Sequence, residues 1–302
     1  MADDLVSVII TTYERESSLA NAIGSVLSQS YENLELIIVD DGSSVNVNKI
    51  LSSTKSKKIR YLKHKYNLGL SSSRNTGIQA SKGKYVAFLD DDDKWKADKL
   101  EKQIKIFKDT NFSSVGLVSC WADQYDKKGK FQKTNQVSYS GAIKPFVNSG
   151  RFKTVPSSIL IKRSLLERIR GFDERLKSHI DFDLWMKLAE INAKCYFVQL
   201  PLVNNYTNQK GRLTSPNQKR LESTFNFINK WNPSWRRWFS HKPAQKLSWT
   251  ISRKVLVPII KELLLDKKII ILIKTYYFVI KQNPSAVRTN YQFIRYTLFN
   301  AS

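Results

Sequence analysis

The first two hundred residues predict an α/β fold with a mainly parallel sheet flanked by helices, and three observations carry that expectation. Short runs rich in Val, Ile and Leu recur at residues 5–13, 34–39, 59–62 and 85–89. Segments with apolar residues at helical spacing lie between strands, as with Leu19, Ile23, Val26 and Leu27. Strands and helices alternating in this way make βαβ units, which keep the strands parallel. The third observation is that polar clusters end the strands: Thr11-Thr12-Tyr13, Asp40-Asp41-Gly42-Ser43 and Asp90-Asp91-Asp92-Asp93. Open α/β sheets bind ligands beyond the carboxyl ends of their strands, so three strands are expected to deliver polar groups to one edge.

Taken in order, residues 5–13 read as a buried strand, and Ser17 as the cap of the first helix. Residues 34–39 and 59–62 make the second and third strands. The turn Asn67-Leu68-Gly69 opens a helix carrying Arg74, Asn75 and Gly77. After the strand at 85–89 comes a helix from about 97 to 107. Residues 115–121 form a further apolar run, 129–133 and 148–153 read as loops, and 157–161 as a strand leading into a short helix. The turn at 170–174 precedes a helix from Ile180, with Leu184, Trp185 and Leu188 at core spacing. Asp181 falls in its first turn, where exposed N–H groups favour a carboxylate; capping is the plainer of its two readings.

Composition bounds the function. A chain of 302 residues with 41% hydrophobic content holds one large domain or a domain with an appendage. Cys120 and Cys195 lack metal-ligand spacing and read as buried free thiols, suiting a reducing compartment. The N-terminus shows no basic segment followed by an apolar one, so a cytoplasmic location is expected. The net charge of +24 is uneven: residues 207–302 carry 18 Lys and Arg against 3 Asp and Glu. Such a surface attracts polyanions. Trp231, Trp235, Trp238 and Trp249 lie among these basic residues, which suits an interfacial helix or a helical subdomain with solvated charges. Residues 256–265 and 269–280 are apolar but interrupted by charges, short of the roughly 20 residues that span a bilayer.

Four consecutive carboxylates repel one another unless solvated or neutralised. At the end of a buried strand, a divalent cation is the natural neutraliser. The first strand–helix junction, Thr12-Tyr13-Glu14-Arg15, is no phosphate loop: neither G-x-G-x-x-G nor a Walker lysine is present. That argues against dinucleotide oxidoreductases and P-loop enzymes.

Five motifs in order then resemble the family 2 nucleotide-sugar glycosyltransferases of the GT-A fold: residues 8–15, 38–43, 67–77, 88–95 and 171–185. The resemblance implies a catalytic domain at 1–206, with a nucleotide-sugar half at about 1–110 and an acceptor half at about 111–206, followed by a basic helical region at 207–302. It implies that Thr11, Tyr13 and Asp41 hold the base, with Asp40 beside them, and that Arg74 lies near the base or diphosphate. Asp90 and Asp92 match the ends of the Asp-x-Asp motif. Asp90 is then on the ribose side, Asp91 joins the donor-binding residues, and Asp92 holds Mn²⁺ or Mg²⁺ with support from Asp93. Asp181 matches the catalytic base; Ile180 stands where many members carry Glu, which leaves Asp183 as the alternative. The implied reaction is inverting transfer from a nucleoside diphosphate sugar, a UDP-sugar by resemblance, to a hydroxyl of a glycan or lipid-linked acceptor in bacterial surface polysaccharide biosynthesis. A peripheral anionic membrane surface is the further partner expected of the basic region. Processive members carry Gln-x-x-Arg-Trp; here Gln209 and Arg212 precede Leu213, which favours single addition. The competing reading, a nucleic-acid-binding or phosphodiester-acting protein, is suggested by the charge, but no nucleic-acid motif supports it.

Overall fold

The computed structural model describes residues 4–54, 56–126, 128–148, 154–206 and 218–238. The chain divides into two compact units, Met1–Arg212 and Leu213–Ser302. In the first unit the strands are β1 (Val6–Thr12), β2 (Leu34–Asp40), β3 (Ile59–Lys63), β4 (Tyr85–Asp90), β5 (Lys94–Trp95), β6 (Leu117–Tyr125), β7 (Phe131–Asn135), β8 (Ser140–Ala142), β9 (Leu160–Lys162) and β10 (Lys194–Tyr206). The helices are α1 (Glu16–Leu27), α2 (Val47–Thr54), α3 (Leu70–Ala80), α4 (Lys99–Lys108), α5 (Ile143–Asn148), α6 (Arg163–Arg168) and α7 (Ile180–Glu190).

Among the described residues the strands form one sheet in the order β3-β2-β1-β4-β9-β6-β10-β5, with β7 added to β6 and β8 to β10. β3, β2, β1 and β4 are parallel, as are β6 and β10. β9 is antiparallel to both β4 and β6 and joins the two parallel blocks. Side chains alternate across each strand, and this sorts the helices. Val8, Ile10, Leu36, Ile38, Ala87 and Leu89 share one buried cluster with Leu19, Ile23 and Val26 of α1 and Leu100 and Ile104 of α4. On the opposite face Gly77 lets α3 close on Ile9. Further along that face, Phe197 stacks on Trp185 of α7 at 6.4 Å and meets Phe146 of α5 at 5.5 Å.

Several local expectations change. α1 starts at Glu16 with Arg15 at the N-cap, so Ser17 lies within the first turn. The segment expected as a loop at 129–133 enters strand β7. The turn from Asp126 to Lys130, with Gly129 at φ 78°, folds it back onto β6. Residues 156–158 form a 3-10 turn before the short strand β9. α2, α5, β5, β8 and β10 had no counterpart in the sequence reading; α2, α5 and β8 are short, β5 is two residues on the end of β10, and β10 is a long strand that contains Pro201. Most of the loop expected at 148–153 lies outside the described residues. Cys120 and Cys195 are buried free thiols.

In the second unit α8 (Gln218–Trp238) is described. Phe227, Trp231 and Trp235 repeat every four residues and are buried. Two of the four tryptophans that suit either an interfacial helix or a helical subdomain are therefore buried. Trp249 and the apolar stretches at 256–265 and 269–280 lie outside the described residues.

Candidate active site

The carboxyl ends of β1, β2 and β4 meet at the sheet edge through a set of interlocking turns. Past β1 the backbone reverses at Glu14 (φ 53°). Glu14 is held from the neighbouring loop: its N–H donates to Ser43 Oγ at 3.0 Å, and its carboxylate accepts from Ser44 N at 2.7 Å and Ser44 Oγ at 2.9 Å. This fixes the residues on either side. Tyr13 is left 47% exposed, and Tyr66, which the sequence reading passed over, is 64% exposed across the Gly42 turn. Gly42 has φ 80°, and a Cβ there would lie 2.6 Å from the Tyr66 carbonyl carbon. The left-handed turn and the close approach both require glycine.

The adjacent aspartates Asp40 and Asp41 have different fates. Asp40 is fully buried and accepts from Ser43 N at 2.8 Å and Tyr61 Oη at 2.7 Å, with Lys63 Nζ at 3.6 Å. Burial disfavours its charge, yet these hydrogen bonds and Lys63 outweigh it and hold its pKa below the ordinary value. Asp40 therefore ties the turn together, with both of its carboxylate oxygens engaged within the chain. Asp41 accepts from Leu68 N at 2.9 Å, Gly69 N at 2.8 Å and His64 Nδ1 at 2.8 Å. It thereby fastens the Asn67-Leu68-Gly69 turn to the tip of β2. Three of its roughly four acceptor positions are filled, leaving Oδ2 one lone pair for a further donor. Thr11, the penultimate residue of β1, is 8% exposed.

The four acids after β4 are likewise individually placed. Asp91 accepts from Thr12 Oγ1 at 2.7 Å. Asp92 Oδ2 pairs with Arg15 Nη1 at 2.5 Å, and the same nitrogen reaches Asp91 Oδ1 at 3.4 Å. Asp93 is almost wholly buried, accepting from Ser157 Oγ at 2.6 Å, Asn205 Nδ2 at 2.9 and 3.1 Å and Tyr206 N at 3.2 Å. Ser157 Oγ also accepts from Asp90 N at 3.2 Å, and the Ser157 carbonyl accepts from Trp95 Nε1 at 2.7 Å. Burial pushes the Asp91 pKa up to about 7, against the Thr12 hydrogen bond and Arg15. Asp93 is raised well above the ordinary value by burial and then by the charges of Asp90 and Asp92.

Oxygens of Asp90, Asp92 and Asp93 lie within 4.8 Å of one another. All-oxygen donors at this spacing fit a hard divalent cation such as Mg²⁺ or Mn²⁺, and such a charge would relieve the repulsion that Asp90 and Asp92 add to the burial of Asp93. Asp93 already accepts four hydrogen bonds, so the arrangement gives it a bracing role and leaves Asp92 and Asp90 as the better ligands.

Arg74 joins this cluster to α7. Its side chain is 2% exposed, with Nη2 2.9 Å from Asp90 Oδ1 and Nη1 2.6 Å from Asp181 Oδ1. The guanidinium lies over Phe172 at 5.2 Å and Phe88 at 5.8 Å. The next residue, Asn75, accepts from Phe172 N at 2.8 Å and donates to Phe172 O at 3.0 Å and Glu174 Oε1 at 2.8 Å. Gly171 has φ 59°, and any Cβ on it would collide with Asn75 Oδ1. The motif at 171–174 thus docks on α3, and Lys187 Nζ on α7 donates to Gly171 O at 2.7 Å. This seats Asp181 beside Arg74. Its side chain is 46% exposed, in the first turn of α7. Its pKa is raised by loss of solvent on its protein side and by the Asp90 charge, which Arg74 partly offsets. Asp183 is buried, with Lys187 Nζ at 3.9 Å, whereas Asp181 is open to solvent.

The structure therefore gathers Asp90, Asp91, Asp92, Asp93, Arg74 and Asp181 and sets Asp40 apart. Sequence reasoning missed Arg15, Thr12, Ser157 and Asn205 as partners of the acids. Arg15 lies within the first motif; Ser157 and Asn205 carry no local signal.

Known proteins can now be set beside this geometry. The profile of Glycosyl transferase family 2 matches residues 7–170, more than half of the chain. An uncharacterized glycosyltransferase of Rickettsia bellii is 36% identical over 197 residues, which is 64% of this chain but 27% of that protein. This chain thus spans under a third of that relative's length. UDP-Glc:alpha-D-GlcNAc-diphosphoundecaprenol beta-1,3-glucosyltransferase WfgD of Escherichia coli is 30% identical over 233 residues, covering 76% of this chain and 87% of WfgD. The crystal structure of S. aureus TarS 1–349 in complex with UDP-GlcNAc superposes with a TM-score of 0.62 at 17% identity, over 74% of this chain and 66% of TarS. That likeness speaks to the fold. A family profile running through all three strand tips, on a mixed sheet of this order, makes the chain a glycosyltransferase of family 2 with the GT-A fold.

Proposed function

We propose that the chain carries out inverting transfer of a sugar from a UDP-sugar to a hydroxyl of a glycan or lipid-linked acceptor, in the assembly of a bacterial surface polysaccharide. The observation that carries this reading is the Arg74 bridge. One guanidinium holds a donor-side carboxylate, Asp90, and a half-exposed carboxylate on another element, Asp181, in a fixed relation. The donor and acceptor named for WfgD, a UDP-glucose and a diphosphoundecaprenol-linked GlcNAc, support the substrate classes.

In this reading the base lies against exposed Tyr13, between Thr11 and the remaining acceptor position of Asp41. Asp90 faces the ribose. Asp92, with Asp90, holds Mn²⁺ or Mg²⁺, which when bound neutralises the charge that develops on the leaving diphosphate. Asp181 accepts the proton of the acceptor hydroxyl. Its raised pKa makes it a stronger base than an ordinary carboxylate, and its contact with Arg74 fixes which oxygen faces the cleft. A single base, with no second carboxylate acting as nucleophile, gives attack from the face opposite the diphosphate and inversion of the anomeric centre.

Calorimetry with UDP, dTDP and GDP, each with and without Mn²⁺, tests the donor site. UDP binding that strengthens with Mn²⁺ is the expected result; no binding of any of the three with the metal present would remove the reading. Proton NMR of the product anomer tests inversion.

The basic C-terminal region is read as holding the enzyme at an anionic membrane surface, where each basic residue contributes on the order of 1 kcal/mol. Among the described residues no helix is long and apolar enough to cross a membrane. Flotation with anionic vesicles is expected to show binding that weakens with salt.

A further inference from the structure

The two guanidiniums paired with the acid cluster are built differently. Arg74 is immobilised by two carboxylates and two aromatic rings at 2% exposure. Arg15 is 23% exposed and uses one nitrogen, Nη1, for both its contacts, to Asp92 Oδ2 and Asp91 Oδ1. Among the described residues Arg15 is the cation paired with Asp92. The residue before it, Glu14, is pinned by its bonds to Ser43 and Ser44, so the chain that carries Arg15 is anchored one residue away while its guanidinium is held by Asp91 and Asp92. The oxygen it occupies belongs to a carboxylate of the cluster that fits a divalent ion.

We infer that Arg15 is an exchangeable counter-cation. It neutralises Asp92 when the donor is absent, yields that oxygen when the divalent ion arrives, and then holds the diphosphate of the nucleotide. This deepens the proposed donor site and rests on Asp92 being a metal ligand. The physical reason is that a guanidinium and a divalent ion compete for one carboxylate oxygen and repel each other. A diphosphate brought in with the ion gives the displaced guanidinium a new anion with matching bidentate geometry. Arg15 would thereby make metal and nucleotide binding mutually dependent, because whatever favours one state favours both ligands of it.

The consequence has an unusual sign. Arg15→Gln is expected to bind Mn²⁺ alone more tightly than the wild type, since a competitor is gone. It is expected to bind UDP in saturating Mn²⁺ about tenfold or more weakly, the usual loss for a charge-assisted hydrogen bond. Mn²⁺ affinity is read by electron paramagnetic resonance and UDP affinity by calorimetry, both on the full chain. Arg15→Lys, which keeps the charge without the fork, should leave Mn²⁺ affinity near wild type and weaken UDP, and it carries the test if the Gln variant does not fold. Weaker Mn²⁺ binding by Arg15→Gln would assign Arg15 a mere bracing role and overturn the inference, as would unchanged UDP affinity in both variants. Failure of the wild type to bind Mn²⁺ with or without UDP would instead remove the metal reading beneath it.

Discussion

The two parallel blocks of the sheet reach the same site by different routes. β1, β2 and β4 each end in residues that act where they stand: Thr12 on Asp91, Asp41 on its own neighbouring turn, Asp90 on Arg74. The β6–β10 block contributes at a distance. Asn205 and Tyr206, at the end of β10, and Ser157, before β9, close around an aspartate 112, 113 and 64 residues away in sequence. The first block presents the clustered acids, and Asp93 among them is held by Asn205, Tyr206 and Ser157, while α7 brings Asp181 beside Arg74. A strand-tip motif is therefore necessary for the site and still incomplete by itself.

The sharpest way to break this comparison is Asp181→Asn. Transfer is expected to fall by about 10²–10⁴-fold while UDP affinity in Mn²⁺ stays within a few-fold. Full transfer activity would mean that α7 supplies no chemistry. Asn205→Ala and Ser157→Ala probe the bracing. Each frees an acceptor position on Asp93, and each is expected to weaken Mn²⁺ affinity or transfer by roughly 10–100-fold, the range for outer-shell partners of metal ligands. Wild-type Mn²⁺ titrations in both would leave Asp93 and its partners as packing alone.

Within the first block, Asp40→Asn and Asp41→Asn separate two neighbours. Asp40→Asn is expected to lower stability by about 1–3 kcal/mol through its lost buried hydrogen bonds, read by urea denaturation, with UDP affinity unchanged. Asp41→Asn should weaken UDP. Equal loss of UDP binding in the two would erase the distinction drawn from burial.

The smallest effect is in pH. The folded Asp91 titrates near 7 and Asp93 well above its ordinary value, so the folded chain keeps protons that the unfolded chain releases. Stability contributed by these groups is then complete below the ordinary carboxylate range and is lost as pH rises toward 7. A bound cation offsets that loss only where the acids are ionised. The rise in melting temperature on adding Mn²⁺ should accordingly be small at pH 5 and larger at pH 7.5; the reverse order would contradict the site.

Much of this was legible beforehand. Alternating apolar runs fixed the parallel strands of the first block, because burial on both faces demands continuous Val, Ile and Leu. Polar residues at three strand ends marked the edge where ligand groups meet, and the order of five motifs marked the family. What single motifs did not reveal is which acid does what. Asp40 and Asp41 are chemically identical neighbours, and so are the members of the Asp90-Asp91-Asp92-Asp93 run. Their roles separate only when Tyr61, Leu68, Arg15, Arg74, Ser157 and Asn205 arrive from elsewhere in the chain to fill some acceptor positions and leave others open.

The sequence by itself determined the kind of sheet, the edge that carries the site and the residue types gathered there, since those follow from local hydrophobic pattern and charge. Tertiary structure alone decided that Asp40 is a strut, that Asp93 is braced on both oxygens, and that Arg74 spans Asp90 and Asp181. The physical reason is that a carboxylate's function is set by which of its lone pairs are already taken and by how much water remains. Both depend on partners brought from distant parts of the chain by folding.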